Sequence, residues 1–248
     1  MQEIVARWPA FRVDTEYRDL LAILFRSVEL FHPGAKTVLL TDERTPLEAL
    51  SADTEVVRCR VDRDRVVHSR LLAQIAYLRH RAGKSAVVFL DPDIIVNADL
   101  TPLLVEEFDV ALTYRDLPEM PINDGVIVVN ARAGRAGLRF LKRVRSIYDR
   151  YCADDPYWFG SQRAFIAALG KQFANRSSDV IEVRRCRVRL LPCEQWNFSP
   201  EHNDQENAAE LRNKYILHFK GERKSLMPLY WEKHISHTQP RPADGNPA

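Results

Sequence analysis

Two carboxylates one residue apart, Asp91 and Asp93, close the apolar run Val87-Val88-Phe89-Leu90. In a strand, residues i and i+2 project from the same face, so the two acids point together from its end. Pro92 between them fixes its own φ and biases Asp91 toward an extended backbone. Acids this close repel each other unless a cation lies between them. Their oxygens suit a hard divalent ion such as Mg²⁺ or Mn²⁺, which binds through one or two carboxylates together with phosphate oxygens. Asp and Pro are also ordinary turn residues, so the same stretch reads equally as a polar strand-to-loop turn.

A second group of residues has complementary chemistry. The segment Tyr215-Ile216-Leu217 runs into His218-Phe219-Lys220-Gly221-Glu222-Arg223-Lys224, with the skeleton H-x-x-G-x-x-K. A His leaving a strand can ligate a metal, and Gly permits a tight turn that exposes backbone N–H groups to an anion. Lys supplies a mobile point charge for phosphate. Alone, these residues read as a basic surface turn. With D-x-D in the same chain they read as the second half of a metal-diphosphate site.

The elements that must position these groups alternate between strand-like and helix-like segments, the pattern of a doubly wound α/β sheet. Asp14 or Thr15 can cap a helix whose apolar stripe is Tyr17, Leu20, Leu21, Leu24, Val28 and Phe31, stopped by Pro33-Gly34. Strands are expected near Ile4–Trp8, where Trp8-Pro9 interrupts the apolar run, and at 37–40, 55–61, 109–114, 126–130, 180–191 and 215–219. A helix through Leu71, Leu72, Ile75 and Leu78 ends near Gly83; others span 138–148 and 161–170. We read residues 1–235 as one domain and 236–248, rich in Pro and polar residues, as a disordered tail.

The chain has 248 residues, 46% hydrophobic and 28% charged, the balance of a soluble globular protein long enough to bury a sizeable core. A net charge of +2 gives no global reason to expect nucleic acid. Arg176, Arg184, Arg185, Arg187 and Arg189 cluster locally, either as the solvated face of an edge strand or as a contact with an anionic acceptor or a membrane surface. The cysteines, Cys59, Cys152, Cys186 and Cys193, have no metal-finger spacing and read as buried, inert thiols in a reducing compartment. No stretch approaches a membrane span or a signal peptide. The expected location is the cytoplasm, with peripheral membrane contact left open.

Together L-D-P-D, N-D-G-V-I-V-V-N and H-F-K-G-E-R-K, in this order, resemble glycosyltransferase family 8 and its relatives, which include glycogenin and the bacterial lipopolysaccharide galactosyl- and glucosyltransferases. The similarity runs from about Tyr17 to Lys224. It implies a Rossmann-like A-type glycosyltransferase fold, a single mixed sheet flanked by helices. It also implies retaining transfer of a sugar from a nucleotide-diphosphate sugar, with uracil as the base, to an acceptor hydroxyl. By resemblance, Asp91, Asp93 and His218 bind Mn²⁺ (or Mg²⁺), and Gly221 and Lys224 meet the donor's diphosphate. Arg70, on the helix before the D-x-D, contacts the sugar nucleotide; Asn123 touches the donor sugar, with Gly125 behind it. Asp124 stands where the family has a small residue, and either adds a sugar contact or faces solvent.

One departure concerns catalysis. The family has an Asp-Gln pair on the short helix after N-x-G, and this chain has Ser161-Gln162. Gln162 retains the place beneath the reacting sugar carbon, but the missing carboxylate opens a rival reading, a degenerate sugar-nucleotide-binding protein. A sugar nucleotidyltransferase is a further rival, disfavoured because no glycine-rich phosphate loop follows a first strand. Trp196 reads as an acceptor-side wall or as core packing, and His234 with His237 as a chelating pair or as solvated side chains. Neither the donor sugar nor the acceptor is legible.

Overall fold

The computed structural model describes residues 2–7, 15–47, 53–81, 84–151, 159–201, 208–211 and 213–237. Among the described residues ten strands are formed: β1 (Gln2–Arg7), β2 (Lys36–Thr41), β3 (Glu55–Arg58), β4 (Ala86–Leu90), β5 (Ile94–Val96), β6 (Val110–Tyr114), β7 (Ile122–Val129), β8 (Val180–Glu182), β9 (Arg187–Pro192) and β10 (Ile216–His218). Eight of them make one sheet in the order β3-β2-β1-β4-β7-β6-β9-β8, and β10 pairs with β5 separately. Strands β3, β2, β1 and β4 are mutually parallel, whereas β7 runs antiparallel to both β4 and β6, so the sheet is mixed.

The long helices are α1 (Thr15–Phe31) and α2 (Val66–Arg81), followed after the short α3 (Thr101–Leu104) by α4 (Gly134–Tyr151) and α5 (Gly160–Leu169). Short helices α6 (Lys171–Ala174), α7 (Cys193–Trp196), α8 (Ala208–Leu211) and α9 (Leu226–Tyr230) complete the set. Alternate residues of the central strands divide between two cores. Leu39, Val88, Leu90 and Val128 pack with the α1 stripe of Leu20, Leu21, Leu24 and Val28. Leu40, Val87, Phe89 and Val129 pack with α2, α4 and α5. This is the period-2 alternation of strands covered by helices on both faces, each buried aliphatic side chain contributing about 1.5–3 kcal/mol.

Most expected elements form where the pattern placed them, with four differences. The first strand begins at Gln2, two residues before the expected start, and is described as far as Arg7; Trp8 lies outside the described residues, as do Asp14, Gly83, Cys152 and 238–248 of the expected tail. Strand β3 stops at Arg58, short of Val61. The expected strand 180–191 is a hairpin, β8 and β9, turned at Arg184-Arg185 with φ of 48° and 61°; that left-handed pair is the twist-matched two-residue turn, which Asn-Gly ordinarily supplies. Strand β7 begins at Ile122, four residues before the expected start. Its register against β6 jumps between Leu112 (opposite Ile127) and Thr113 (opposite Asn123), so Asp124-Gly125-Val126 bulge away from β6.

Candidate active site

At the carboxyl end of β4 a cavity of about 410 Å³ opens, lined by Arg70, Asp91, Asp93, Asn123, Asp124, Gln162, His218, Gly221 and Lys224. Asp91 sits just past β4, its N–H donating to Gly125 O at 3.0 Å. Asp93 leads into β5, and its carbonyl accepts from Phe219 N–H at 2.8 Å, which brings the end of β10 against the D-x-D turn. In consequence His218 Nε2 lies 3.1 Å from Asp93 Oδ1 and 3.8 Å from Asp91 Oδ2. One ligand atom from each of the three falls within 4.8 Å of the others.

The donor set fits a divalent cation. Two carboxylates and an imidazole offer O, O and N, and His218 Nδ1 is engaged with Asn197 Oδ1 at 2.8 Å. That bond fixes the ring with Nε2 facing the acids, the usual supporting contact of a metal-bound His. Asn197 is held in turn by its Nδ2, which donates to Thr113 Oγ1 (2.8 Å) and Asn123 Oδ1 (2.9 Å). Burial works to raise the Asp93 carboxyl, but His218 and Lys224 outweigh it and hold it below the usual carboxylate range.

Gly125 is required by close approach. A Cβ there would contact His218 Cε1 and lie 2.8 Å from Nδ1 and 2.9 Å from Asp91 Oδ2. Gly221 serves conformation instead: its φ of +60° starts the 3₁₀ turn Gly221–Ser225. The turn returns Lys224 to the site, with Nζ 3.3 Å from Asp93 Oδ2 and 5.7 Å from the Tyr17 ring centre. Although burial opposes it, Asp93 then Tyr17 hold the Lys224 ammonium above the usual lysine range.

Across the cavity, Arg70 in the first turns of α2 donates from Nη1 to Asp91 Oδ1 at 3.3 Å and pairs through Nη2 with Asp124 Oδ2. Burial disfavours its charge, but Asp124 and then Asp91 override that and raise its pKa. Asp124 Oδ2 also accepts from Ser161 Oγ at 2.6 Å. Asp124, 3% exposed, is therefore not a solvent-facing residue. Asn123 spends its Oδ1 on Gly125 N–H, 3.0 Å away, and on Asn197. Gln162, beside Ser161 at the start of α5, accepts from Arg115 Nη2 at 3.5 Å.

Arg115, Lys220, Asn197 and Thr113 belong to the site without having been singled out. Arg115 and Lys220 line the cavity; burial, and after it the Arg115 charge, push the Lys220 ammonium below the usual lysine range despite Cys193. Lys220 stands inside the H-x-x-G-x-x-K segment, where its neighbour Gly221 was the available signal. Arg115 follows a strand with no motif around it, and only the tertiary contact reveals it.

Other expectations resolve into structure. Trp196 is 9% exposed and stacks on Tyr215 at 4.0 Å, away from the cavity, so it packs the core. His234 tilts against Tyr230, and neither it nor His237 joins a metal-binding group among the described residues. Cys186 is buried, but Cys59 and Cys193 are only half-buried, and Cys59 lines the cavity. Of the clustered arginines, Arg187 pairs with Glu107, Arg189 with Glu106 and Asp179, and Arg176 covers Phe173 and Tyr114. No described helix is long and apolar enough to cross a membrane.

Compared as a sequence, the chain matches no family model and no curated protein. Compared as a structure, it is similar to glycosyltransferases. One involved in glycosylation of the major capsid of PBCV-1 superimposes with a TM-score of 0.56 at 15% identity, over 92% of this chain and 98% of that one. The galactosyltransferase LgtC, in complex with donor and acceptor sugar analogs, gives 0.56 at 16% identity, over 97% and 98%. The chain has the A-type glycosyltransferase fold. A third A-type neighbour, the apo form of GlyE from Streptococcus pneumoniae TIGR4, gives 0.57 at 14% identity, over 94% of this chain and 60% of that one. In the A-type fold seen here the cavity lies at the carboxyl edge of the sheet, where open α/β sheets bind ligands.

Proposed function

We propose that the protein is a metal-dependent glycosyltransferase that moves a sugar from a nucleotide-diphosphate sugar, with uridine as the nucleoside, to an acceptor hydroxyl, with retention of configuration. The observation that carries this reading is the convergence of Asp91, Asp93 and His218 within 4.8 Å at the wall of a cavity of about 410 Å³. Lys224 beside Asp93 and the turn at Gly221 supply positive potential for a diphosphate next to that cluster. The apolar end of the cavity, with Leu40, Val61 and Val66, suits a planar base.

Asp91, Asp93 and His218 would hold Mn²⁺ or Mg²⁺, and a cation there supplies Lewis acidity toward the leaving diphosphate. Arg70 and Asp124, the latter held from behind by Ser161, form a polar wall for the sugar hydroxyls, with Asn123 beside it. Because Asp124 is committed to Arg70 and Ser161, it is a poor nucleophile. That favours attack on the face of departure over a covalent intermediate. The acceptor oxygen bonds to the anomeric carbon as the carbon–oxygen bond to the phosphate breaks, and the acceptor proton passes to the departing phosphate oxygen. Gln162 steadies the charge that develops on the ring.

Thermal unfolding with UDP, GDP, CDP and ADP, each with and without Mn²⁺, tests the reading. A nucleotide at about 100 times its Kd adds about 2.7 kcal/mol and raises the midpoint by several degrees. The expected result is a shift with UDP that requires Mn²⁺. Absence of any shift with all four nucleotides overturns the site.

A further inference from the structure

The charges lining the cavity do not cancel. Among the described residues, its wall carries the cations Arg70, Arg115, Lys220 and Lys224 and the carboxylates Asp91, Asp93 and Asp124. Every carboxylate already has a cation: Arg70 serves Asp91 and Asp124, and Lys224 serves Asp93. Arg115 meets only neutral acceptors, Met120 O at 2.9 Å and Gln162 Oε1 at 3.5 Å. Lys220 lines the same cavity, and its Nζ has no hydrogen-bond or ion-pair partner among the described residues; Asp91 and Asp93 act on its charge only from beyond ion-pair distance.

Two half-buried cations that face one cavity and have no directly paired carboxylate leave a positive potential there that an anion can meet. Their position says which anion. Lys220 follows the metal-ligating His218 by two residues and Arg115 holds Gln162, so the pair spans the gap between the diphosphate end and the reacting end of the site. The diphosphate has its own countercharges in the metal cluster and Lys224. The remaining ligand in this gap is the acceptor.

We propose that Arg115 and Lys220 form an anion subsite that receives a phosphate or carboxylate on the acceptor, near the hydroxyl to be glycosylated. This rests on the transferase reading. The anion is not consumed: it orients the acceptor and matches the positive potential of the two cations. Arg115 provides a planar fork for two oxygens and Lys220 a point charge, a pairing that serves either anion.

The test is calorimetric titration of the protein saturated with UDP and Mg²⁺, at constant ionic strength, with methyl phosphate, acetate and the neutral methyl glucoside. One or both anions are expected to bind, and the stronger of the two names the group. Arg115→Met and Lys220→Met are each expected to weaken that binding by about tenfold or more, while UDP with Mg²⁺ binds both variants as it binds the wild type. Equal, undetectable binding of both anions to wild type overturns the subsite. Loss of UDP binding in the two variants also overturns it, by assigning the pair to the donor diphosphate, and leaves the transferase reading standing. Failure of wild type to bind UDP at all removes that reading itself, and the subsite with it.

Discussion

Asp124 Oδ2 accepts a 2.6 Å hydrogen bond from Ser161 Oγ across the floor of the cleft, and the same oxygen pairs with Arg70. The resemblance to family 8 leads one to expect a carboxylate at position 161 and a small residue at 124. The chain has the reverse, and the contact puts the two positions side by side. A carboxylate therefore occupies this corner of the site, carried by β7 instead of α5.

That exchange predicts a rescue. Asp124→Ala removes a charged hydrogen bond worth about 1.5–3 kcal/mol from Arg70, and kcat/KM is expected to fall about 10- to 150-fold. Asp124→Ala/Ser161→Asp restores a carboxylate to the same corner and is expected to recover most of the loss. Steady-state kinetics of both variants decide it; a double variant no better than the single one shows that the acid must come from β7.

Gly125→Ala tests the close approach at the metal cluster. The new Cβ meets the His218 ring and Asp91, so His218 must withdraw from the two carboxylates. Mn²⁺ affinity, read by titration with UDP present, is expected to weaken about 10- to 100-fold, the range for disturbed support of a ligand. Unchanged affinity means that His218 is not a ligand.

Lys224→Ala removes the charged contact proposed for the diphosphate, and kcat/KM is expected to fall about 10- to 150-fold. Asp93→Ala is expected to be worse, because it removes a metal ligand as well as the partner of Lys224 and His218. Wild-type rates in both would remove the catalytic assignment.

His32 predicts a pH dependence of stability away from the site. Its Nε2 accepts from Leu100 N–H at 3.1 Å, fastening the segment after β5 to the end of α1. Burial lowers its pKa from the ordinary 6.5, with Asp99 opposing more weakly. The unfolded chain therefore binds a proton first as pH falls, so this contribution is complete above pH 6.5 and is lost progressively below it. Urea unfolding from pH 8 to 5 is expected to show a steeper decline for wild type than for His32→Gln; parallel curves contradict the assignment.

What the sequence determined by itself is the chemistry and the periodicity. The D-x-D pair ends a continuous apolar run, which forms a strand buried at every position, and the α1 stripe repeats at helical spacing; both patterns are local and need no partner to be read. Residue type and spacing within short segments drew attention to Asp91, Asp93, His218, Gly221 and Lys224, and the resemblance to family 8 supplied the roles expected of them. The start of β7 was not. Asn, Asp and Gly are poor strand formers, and Asn123-Asp124-Gly125 is held in the strand by its pairing with β6 and by the bulge between them. Likewise Arg184-Arg185 contains no turn residue, and only the reciprocal bonds of Val183 and Cys186 close that hairpin. Tertiary structure alone decided the partnership of Asp124 with Ser161, the support of His218 by Asn197, and the placing of Arg115 and Lys220 in one cavity. Each joins residues far apart in the chain, and contacts of that kind arise from how strands are ordered across the sheet, which no local pattern encodes.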